Sequence, residues 1–279
     1  MPLNAELVRQ VVTAALQEDV GARDATSEAT VPSDARARAV FLAKQDFVLA
    51  GLDVALAAFR LKDPAVSWTP HVSEGAAILA RTEMGTLLGS ARALLTAERV
   101  ALNFLQRLSG VATVTRRFVD AVAGTPARIR DTRKTTPLLR ALEKYAVEIG
   151  GGVPHRAGLD SGILVKDNHA RLAGSVGEAA RRAMAEARGL PVEVEIERLD
   201  QLEEVIAAGV QMVLLDNFTP EQVREAVRQN AGRVPLEVSG GVRLENVRAY
   251  AEAGPDFIAI GALTHSAPAV DISLEIEPA

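Results

Sequence analysis

From residue 127 to residue 260 the chain repeats one unit, a short apolar run followed by a turn and a helix-length amphipathic stretch. Apolar runs at 127–130, 163–165, 192–196, 212–215, 236–238 and 257–260 read as strands. Stretches at 137–149, 176–188, 199–208, 220–230 and 244–253 read as the intervening helices. Thr136-Pro137 is a helix-start signal, with threonine as cap and proline in the first turn. Gly150, Gly189, Gly209 and Gly254 stand where the respective helices end. Strands that alternate with helices pair in parallel, and this many units in series point to a barrel. Five crossovers are too few for a complete eightfold barrel, so the pattern alone also allows an open, doubly wound sheet.

The first third of the chain lacks this rhythm. Asn4 can cap a helix reaching about residue 19, with Leu7, Val11, Ala15 and Leu16 on one face. Strands are expected at 36–49, 66–71, 77–82 and 86–88, with a short helix at 52–61. A strongly amphipathic helix at 92–108 is expected to break at Ser109-Gly110 and resume at 111–122. Residues 271–276 read as a final strand. The expected organisation is a small α+β domain over 1–110, to which 266–279 returns, and an α/β domain over 111–265.

The segment 128–171 holds nine Lys and Arg residues against five Asp and Glu, a net +4 in a chain whose net charge is −5. It also carries three of the five lysines, Lys134, Lys144 and Lys166, in a protein that otherwise prefers arginine. Such a local excess suits a small, multiply anionic ligand. The overall negative charge and 4% aromatic content disfavour a nucleic-acid binder, which needs a basic face and stacking rings. With no cysteine there is no thiolate ligand, thiol nucleophile or disulfide. His71, His155, His169 and His265 lack the spacing of a zinc motif. The first residues show no basic-plus-apolar leader, and no run approaches the ~20 apolar residues of a membrane helix, so the cytoplasm is the expected compartment.

In parallel α/β folds ligands meet the carboxyl ends of the strands. Here those ends carry, in order, Asp131, Thr132, Arg133 and Lys134; Lys166, Asp167, Asn168 and His169; Glu193, Glu195 and Glu197; Asp216 and Asn217; Ser239-Gly240-Gly241; and Gly261-Ala262-Leu263. Each alone has an ordinary explanation, as a solvated loop, a strand terminus, a surface ion pair or a helix stop. Jointly they sort by chemistry: cations first, carboxylates in the middle, glycine loops last. Cations would hold a substrate with more than one carboxylate. Glu195 and Asp216 suit Mg²⁺ bound partly through water, as diphosphates require. The loops at the last two strands would cradle a monophosphate. A Schiff-base aldolase using Lys166 is an alternative, disfavoured because Asp167 adjoins that lysine. A metabolite-binding regulator that keeps the pocket is another.

The segments TAERVALNFLQRLSGVAT (96–113), DTRKTTPLLRALEKYAVEIGGGVPHRAGLDSGILVKDNH (131–169), EVEIERLDQLEEVIAAGVQMVLLDNF (193–218), LEVSGGV (236–242) and IGALTHSAPAVDISLEI (260–276) closely resemble the quinolinate phosphoribosyltransferase family, also called nicotinate-nucleotide pyrophosphorylases. The resemblance implies an N-terminal α/β sandwich domain plus a C-terminal α/β-barrel, an incomplete, non-standard barrel of parallel strands. It implies transfer of phosphoribosyl from phosphoribosyl pyrophosphate to quinolinate with decarboxylation, in NAD biosynthesis, with Mg²⁺ and no organic cofactor. By resemblance Arg133, His155, Arg156 and Lys166 line the quinolinate pocket, Lys134 lies towards the phosphoribosyl substrate, and Thr132 is a further substrate-binding residue. Glu195 and Asp216 become the ribose- and metal-side acids, with Lys134 and Lys166 beside them as catalytic groups. Ser239, Gly240, Gly241, Gly261, Ala262 and Leu263 become the 5′-phosphate loops. Arg99 matches an arginine that reaches the neighbouring subunit's site, which implies a homodimer, with higher assembly left open. A related group associated with molybdenum transport shares the pattern, and the full Arg and Lys set favours the enzyme.

Overall fold

The computed structural model describes residues 3–279. Helix α1 (Ala5–Val20) starts at Asn4, whose side-chain oxygen accepts the N–H groups of Glu6 and Leu7. Then come α2 (Ala25–Thr30), β1 (Arg36–Ala43), β2 (Phe47–Val48), α3 (Leu52–Lys62), β3 (Ser67–Pro70), β4 (Ala77–Ile78), β5 (Glu83–Ser90) and the long α4 (Ala91–Ala121). They are followed by β6 (Arg128–Arg130), α5 (Arg140–Ile149), β7 (Ile163–Val165), α6 (Asp167–Ala173), α7 (Val176–Ala185) and β8 (Val192–Ile196). The chain ends with α8 (Leu202–Ala207), β9 (Met212–Asp216), α9 (Pro220–Asn230), β10 (Leu236–Ser239), α10 (Val247–Glu252), β11 (Phe257–Ala259), α11 (Ala262–His265) and β12 (Ile272–Pro278).

These elements form two compact units. The first contains the N-terminal part through Val114, Thr136–Gly150 and Ser266–Ala279. Its main sheet has the order β12-β1-β5-β3, with antiparallel pairing throughout. Ala37, Ala39, Phe41 and Ala43 alternate inward along β1, and the Phe41 ring meets Phe59 and Trp68 edge-on at centroid distances of 6.0 Å. Helix α4 runs unbroken through Ser109-Gly110, contrary to the sequence expectation. Both residues are there for packing. A Cβ on Gly110 would collide with the carbonyl of Pro268, and buried Ser109 accepts the Ala50 N–H at 3.0 Å through its hydroxyl. The penalty of glycine in a helix, about 1 kcal/mol, is outweighed by that close backbone approach.

The start of α5 also departs from expectation. Thr136 does not cap a helix at Pro137; its N–H and hydroxyl both donate to Glu143, at 3.0 and 2.7 Å, and the helix begins at Arg140. Fully buried Glu143 is further paired with Arg107 at 2.7 Å. A buried carboxylate must be surrounded by donors, and this demand overrides the local capping signal.

The second unit comprises Thr115–Thr135 and Gly151–His265. It holds a six-stranded parallel sheet in the order β6-β11-β10-β9-β8-β7. Among the described residues no ladder joins β6 to β7, so the barrel is incomplete. Val192, Val194, Val213, Leu215, Val238 and Ile258 are buried on these strands. The expected helices at 199–208 and 244–253 are shorter than the pattern suggested, a 3₁₀ turn (Leu199–Gln201) leading into α8, and α10. Helix α6, directly after Lys166, has no apolar stripe and was not legible in the sequence. Among the described residues no helix is long and apolar enough to cross a membrane.

Candidate active site

A cavity of about 400 Å³ opens where the strands of the parallel sheet end. Its walls are Thr132, Arg133 and Lys134 after β6, His155 and Arg156 before β7, Leu164 and Lys166 at the end of β7, and Glu195 on β8. Leu214 and Asp216 on β9, Glu237 and Ser239 on β10 and Ala259 on β11 complete it. Nine of the residues named from sequence therefore meet in one place: Thr132, Arg133, Lys134, His155, Arg156, Lys166, Glu195, Asp216 and Ser239. A larger hollow in the first unit, about 570 Å³ and lined by residues such as Leu3, Val8, Ala57, Leu61 and Tyr145, is mainly apolar and gathers no comparable set of charges.

The cavity's cations are held with spare hydrogen-bonding capacity. Arg156 donates through Nη1 to the Gly162 carbonyl at 2.8 Å. Its guanidinium is pushed below its ordinary pKa by burial and by the positive charge of Arg133, with Glu193 opposing. The Nε atoms of Arg133 and Arg156 are buried and make no hydrogen bond among the described residues. Two guanidiniums lining one cavity, each with an unused Nε donor, suit an anion. The Lys166 main-chain N–H donates to His169 Nδ1 at 3.0 Å, which secures the first turn of α6.

Opposite them stand the acids. Glu195 is held above its ordinary pKa by burial and then by Asp216, while Lys166 pulls the other way. Asp216 is raised by burial and by Glu197, against Lys166 and Lys134. Asn217, in the left-handed region at φ 58°, donates its amide to Asp216 Oδ2 at 2.7 Å. Its main-chain N–H donates to the Ser239 carbonyl at 2.8 Å, which ties the β9 and β10 loops together. Gly240, at φ 94°, lies so close to Asn217 that a Cβ would overlap it. The last loop is joined to Lys134: the Thr264 hydroxyl donates to the Lys134 carbonyl at 2.8 Å, and a Cβ on Gly261 would sit 3.2 Å from Lys134 Cδ.

Both the sequence and the fold have counterparts among known proteins. The sequence model described as "Quinolinate phosphoribosyl transferase, C-terminal domain" matches residues 111–275, and its N-terminal counterpart matches 24–109. The nicotinate-nucleotide pyrophosphorylase [carboxylating] of Mycobacterium leprae is 44% identical over 97% of this chain and 98% of its own. The chain belongs to the quinolinate phosphoribosyltransferase family. Within this family, the crystal structure of NadC from Streptococcus pyogenes superposes with a TM-score of 0.96 at 39% identity, covering 100% of this chain and 99% of that one. The nicotinate-nucleotide pyrophosphorylase from Francisella tularensis gives 0.95 at 37% identity, over 99% of this chain and 98% of its own.

Not every expected residue of this family member lies on the cavity wall. Gly240, Gly241, Gly261 and Ala262 occupy the adjoining loops, and the Leu263 side chain is fully buried, so only its main chain could face a ligand. Arg99 is an exposed residue of α4 in the first unit. The sequence placed Asp131 and Glu193 at the strand ends without showing that they are buried, and it did not single out buried Glu237, which pairs with Arg130 at 2.6 Å. Alternation along β8 hinted at this burial, because Glu193, Glu195 and Glu197 share a face and become steadily more exposed towards the carboxyl end. Glu237 gave no such hint, since it appears as an isolated charge in a short apolar run.

Proposed function

We propose that the protein transfers phosphoribosyl from phosphoribosyl pyrophosphate to quinolinate with loss of CO₂, giving nicotinate mononucleotide and pyrophosphate for NAD synthesis. The observation that carries this reading is the pairing of Arg133 and Arg156 in one cavity, both with buried, unpartnered Nε donors. A pyridine with adjacent carboxylates supplies the missing acceptors. Lys166 adds a third positive charge on the same wall.

In this reading Lys134 faces the phosphoribosyl substrate, and the amides of Ser239–Gly241 and Gly261–Leu263 receive its 5′-phosphate. The pyridine nitrogen attacks the anomeric carbon while the bond to pyrophosphate breaks. Glu195 and Asp216 favour the positive charge that grows on the ribosyl centre. The nitrogen, now quaternary, draws in the electron pair released when the neighbouring carboxylate departs as CO₂, and a proton takes its place on carbon. No covalent enzyme intermediate is needed. Lys166 is exposed and shares the cavity with two acids, unlike the desolvated lysine of a Schiff-base enzyme.

Glu195 and Asp216 also fit Mg²⁺: they are an all-oxygen pair, half-buried, and each is raised in pKa by burial and by neighbouring acid charge. When bound with the diphosphate, Mg²⁺ would neutralise charge on the leaving group. The proposal extends to a cytoplasmic homodimer in which Arg99 completes the partner's site. The direct test is CO₂ and pyrophosphate release from quinolinate plus phosphoribosyl pyrophosphate, with and without Mg²⁺. Release in equal amounts, dependent on Mg²⁺, is expected; turnover of neither substrate would remove the reading.

A further inference from the structure

At the floor of the cavity, which Glu237 reaches, and behind it lie ionisable groups to which the proposed chemistry gives no part, Glu193, Glu237 and Arg130. Glu193 is 7% exposed and Glu237 0%. Glu237 Oε2 meets Arg130 Nη1 at 2.6 Å, and the Arg130 guanidinium lies 4.6 Å above the Phe257 ring. Glu193 Oε2 lies 2.9 Å from His155 Nε2, and Glu237 Oε1 lies 3.5 Å from the same nitrogen.

The hydrogen bonds define the tautomer of His155. Its Nδ1 accepts the main-chain N–H of Arg156 at 2.7 Å, so the ring proton sits on Nε2 and is donated to Glu193. The main-chain N–H of His155 itself donates to buried Asp131 at 2.6 Å. His155 is thus fixed at three points, and two of them determine where the chain enters Arg156. The imidazole and the two carboxylates lie within 4.8 Å of one another, close enough for a metal ion. Glu237 Oε2 is already taken by Arg130, however, and the protonated Nε2 has no lone pair for a metal.

We infer that Glu193 is a positioning residue for the substrate pocket: by fixing the His155 ring it sets the main-chain course at Arg156, and so places the guanidinium that grips the substrate's carboxylate. Arg130 and Glu237 back this arrangement from below. Burial and then the charge of Glu193 push the Glu237 carboxyl up to about 8, while the charge of Arg130 and its hydrogen bond oppose this. The inference rests on assigning the cavity to a pyridine dicarboxylate, and the tests separate the two.

Steady-state kinetics of the full-length protein with quinolinate and phosphoribosyl pyrophosphate would compare wild type, Glu193→Leu and Glu193→Gln. Loss of the acceptor in Glu193→Leu should raise KM for quinolinate about tenfold or more and leave KM for phosphoribosyl pyrophosphate within about twofold. Glu193→Gln keeps an oxygen that can accept from Nε2 and should restore most of the quinolinate affinity. Equal changes in both KM values, or a glutamine variant as impaired as the leucine one, would overturn the inference. Should Glu193→Leu fail to fold, ¹⁵N-histidine NMR of the substrate-free wild type decides, with His155 assigned by its loss in His155→Gln. A proton on Nε2 and none on Nδ1 is expected; a proton on Nδ1, or one equivalent of Zn²⁺ retained after dialysis, refutes it. If wild type does not turn over quinolinate, the substrate assignment falls, while NMR still tests the wiring.

Discussion

Burial and then the positive charge of Arg133 weaken the proton affinity of Arg156, and among the described residues neither guanidinium finds an acceptor for its buried Nε. Two cations placed together repel, Glu193 offsets only part of this for Arg156, and an anion bound between them relieves the rest. In calorimetry, Arg133→Ala should therefore weaken quinolinate binding about a hundredfold and phosphoribosyl pyrophosphate binding far less. Arg156→Lys should not rescue the former, since an ammonium cannot reproduce a bidentate fork. Equal loss for both ligands would contradict the assignment.

Glu237 makes stability depend on pH. Its carboxyl is raised from 4.5 to about 8 in the folded protein, so the native state holds a proton that the unfolded chain releases. That contribution is complete below pH 4.5 and declines as pH rises towards about 8. Glu237→Gln cannot ionise. Across this window the wild-type Tm should fall relative to the variant by about 3 °C or more. Parallel melting curves at every pH would show that Glu237 does not carry the effect.

Gly240→Ala forces a side chain onto Asn217 at a position whose φ is 94°. The expected cost is about 1–3 kcal/mol of stability. Because Asn217 donates to Asp216, KM for phosphoribosyl pyrophosphate should rise more than KM for quinolinate. An unchanged ratio of the two would detach the loop from the acid.

In the first unit, Arg107 donates to the fully buried Glu143 at 2.7 Å and to the Ala267 carbonyl at 2.6 Å. Arg107→Ala would strand a buried carboxylate and should destabilise by about 3–5 kcal/mol. A double variant with Glu143→Gln should recover part of that loss, as read by urea unfolding. A simple sum of the two single effects would mean that the pair is not coupled.

Subunit exchange tests the proposed role of Arg99. Arg99→Ala and Lys166→Ala proteins, each inactive alone, should regain roughly a quarter of wild-type activity when mixed, because random pairing yields half mixed dimers with one intact site each. No recovery after verified exchange would remove Arg99 from a neighbouring site.

The parallel sheet was legible because its strands centre on β-branched and other apolar residues in short stretches between helical ones, as at 163–165 and 212–215. Placement of ligands at strand ends then led from Arg133, Lys166, Glu195 and Asp216 to a common cavity. The errors have a common cause. The break expected at Ser109-Gly110 and the cap expected at Thr136 follow local rules correctly, but Pro268 and Ala50, far along the chain, and the buried carboxylate of Glu143 supply contacts that those rules do not contain.

The sequence by itself determined the alternation, the inward faces of the strands and the order in which cations, acids and glycines reach the carboxyl edge, because strand period and turn chemistry are local properties. Only the tertiary structure decided that the six-stranded sheet stays open and that the last strand pairs with β1. It also decided which of the charges on one strand face are substrate-facing and which are buried supports. Glu193 and Glu195 are the same residue type two positions apart; their depth in the sheet, and the His155 ring that reaches one of them, is fixed by packing between segments that the linear pattern does not connect.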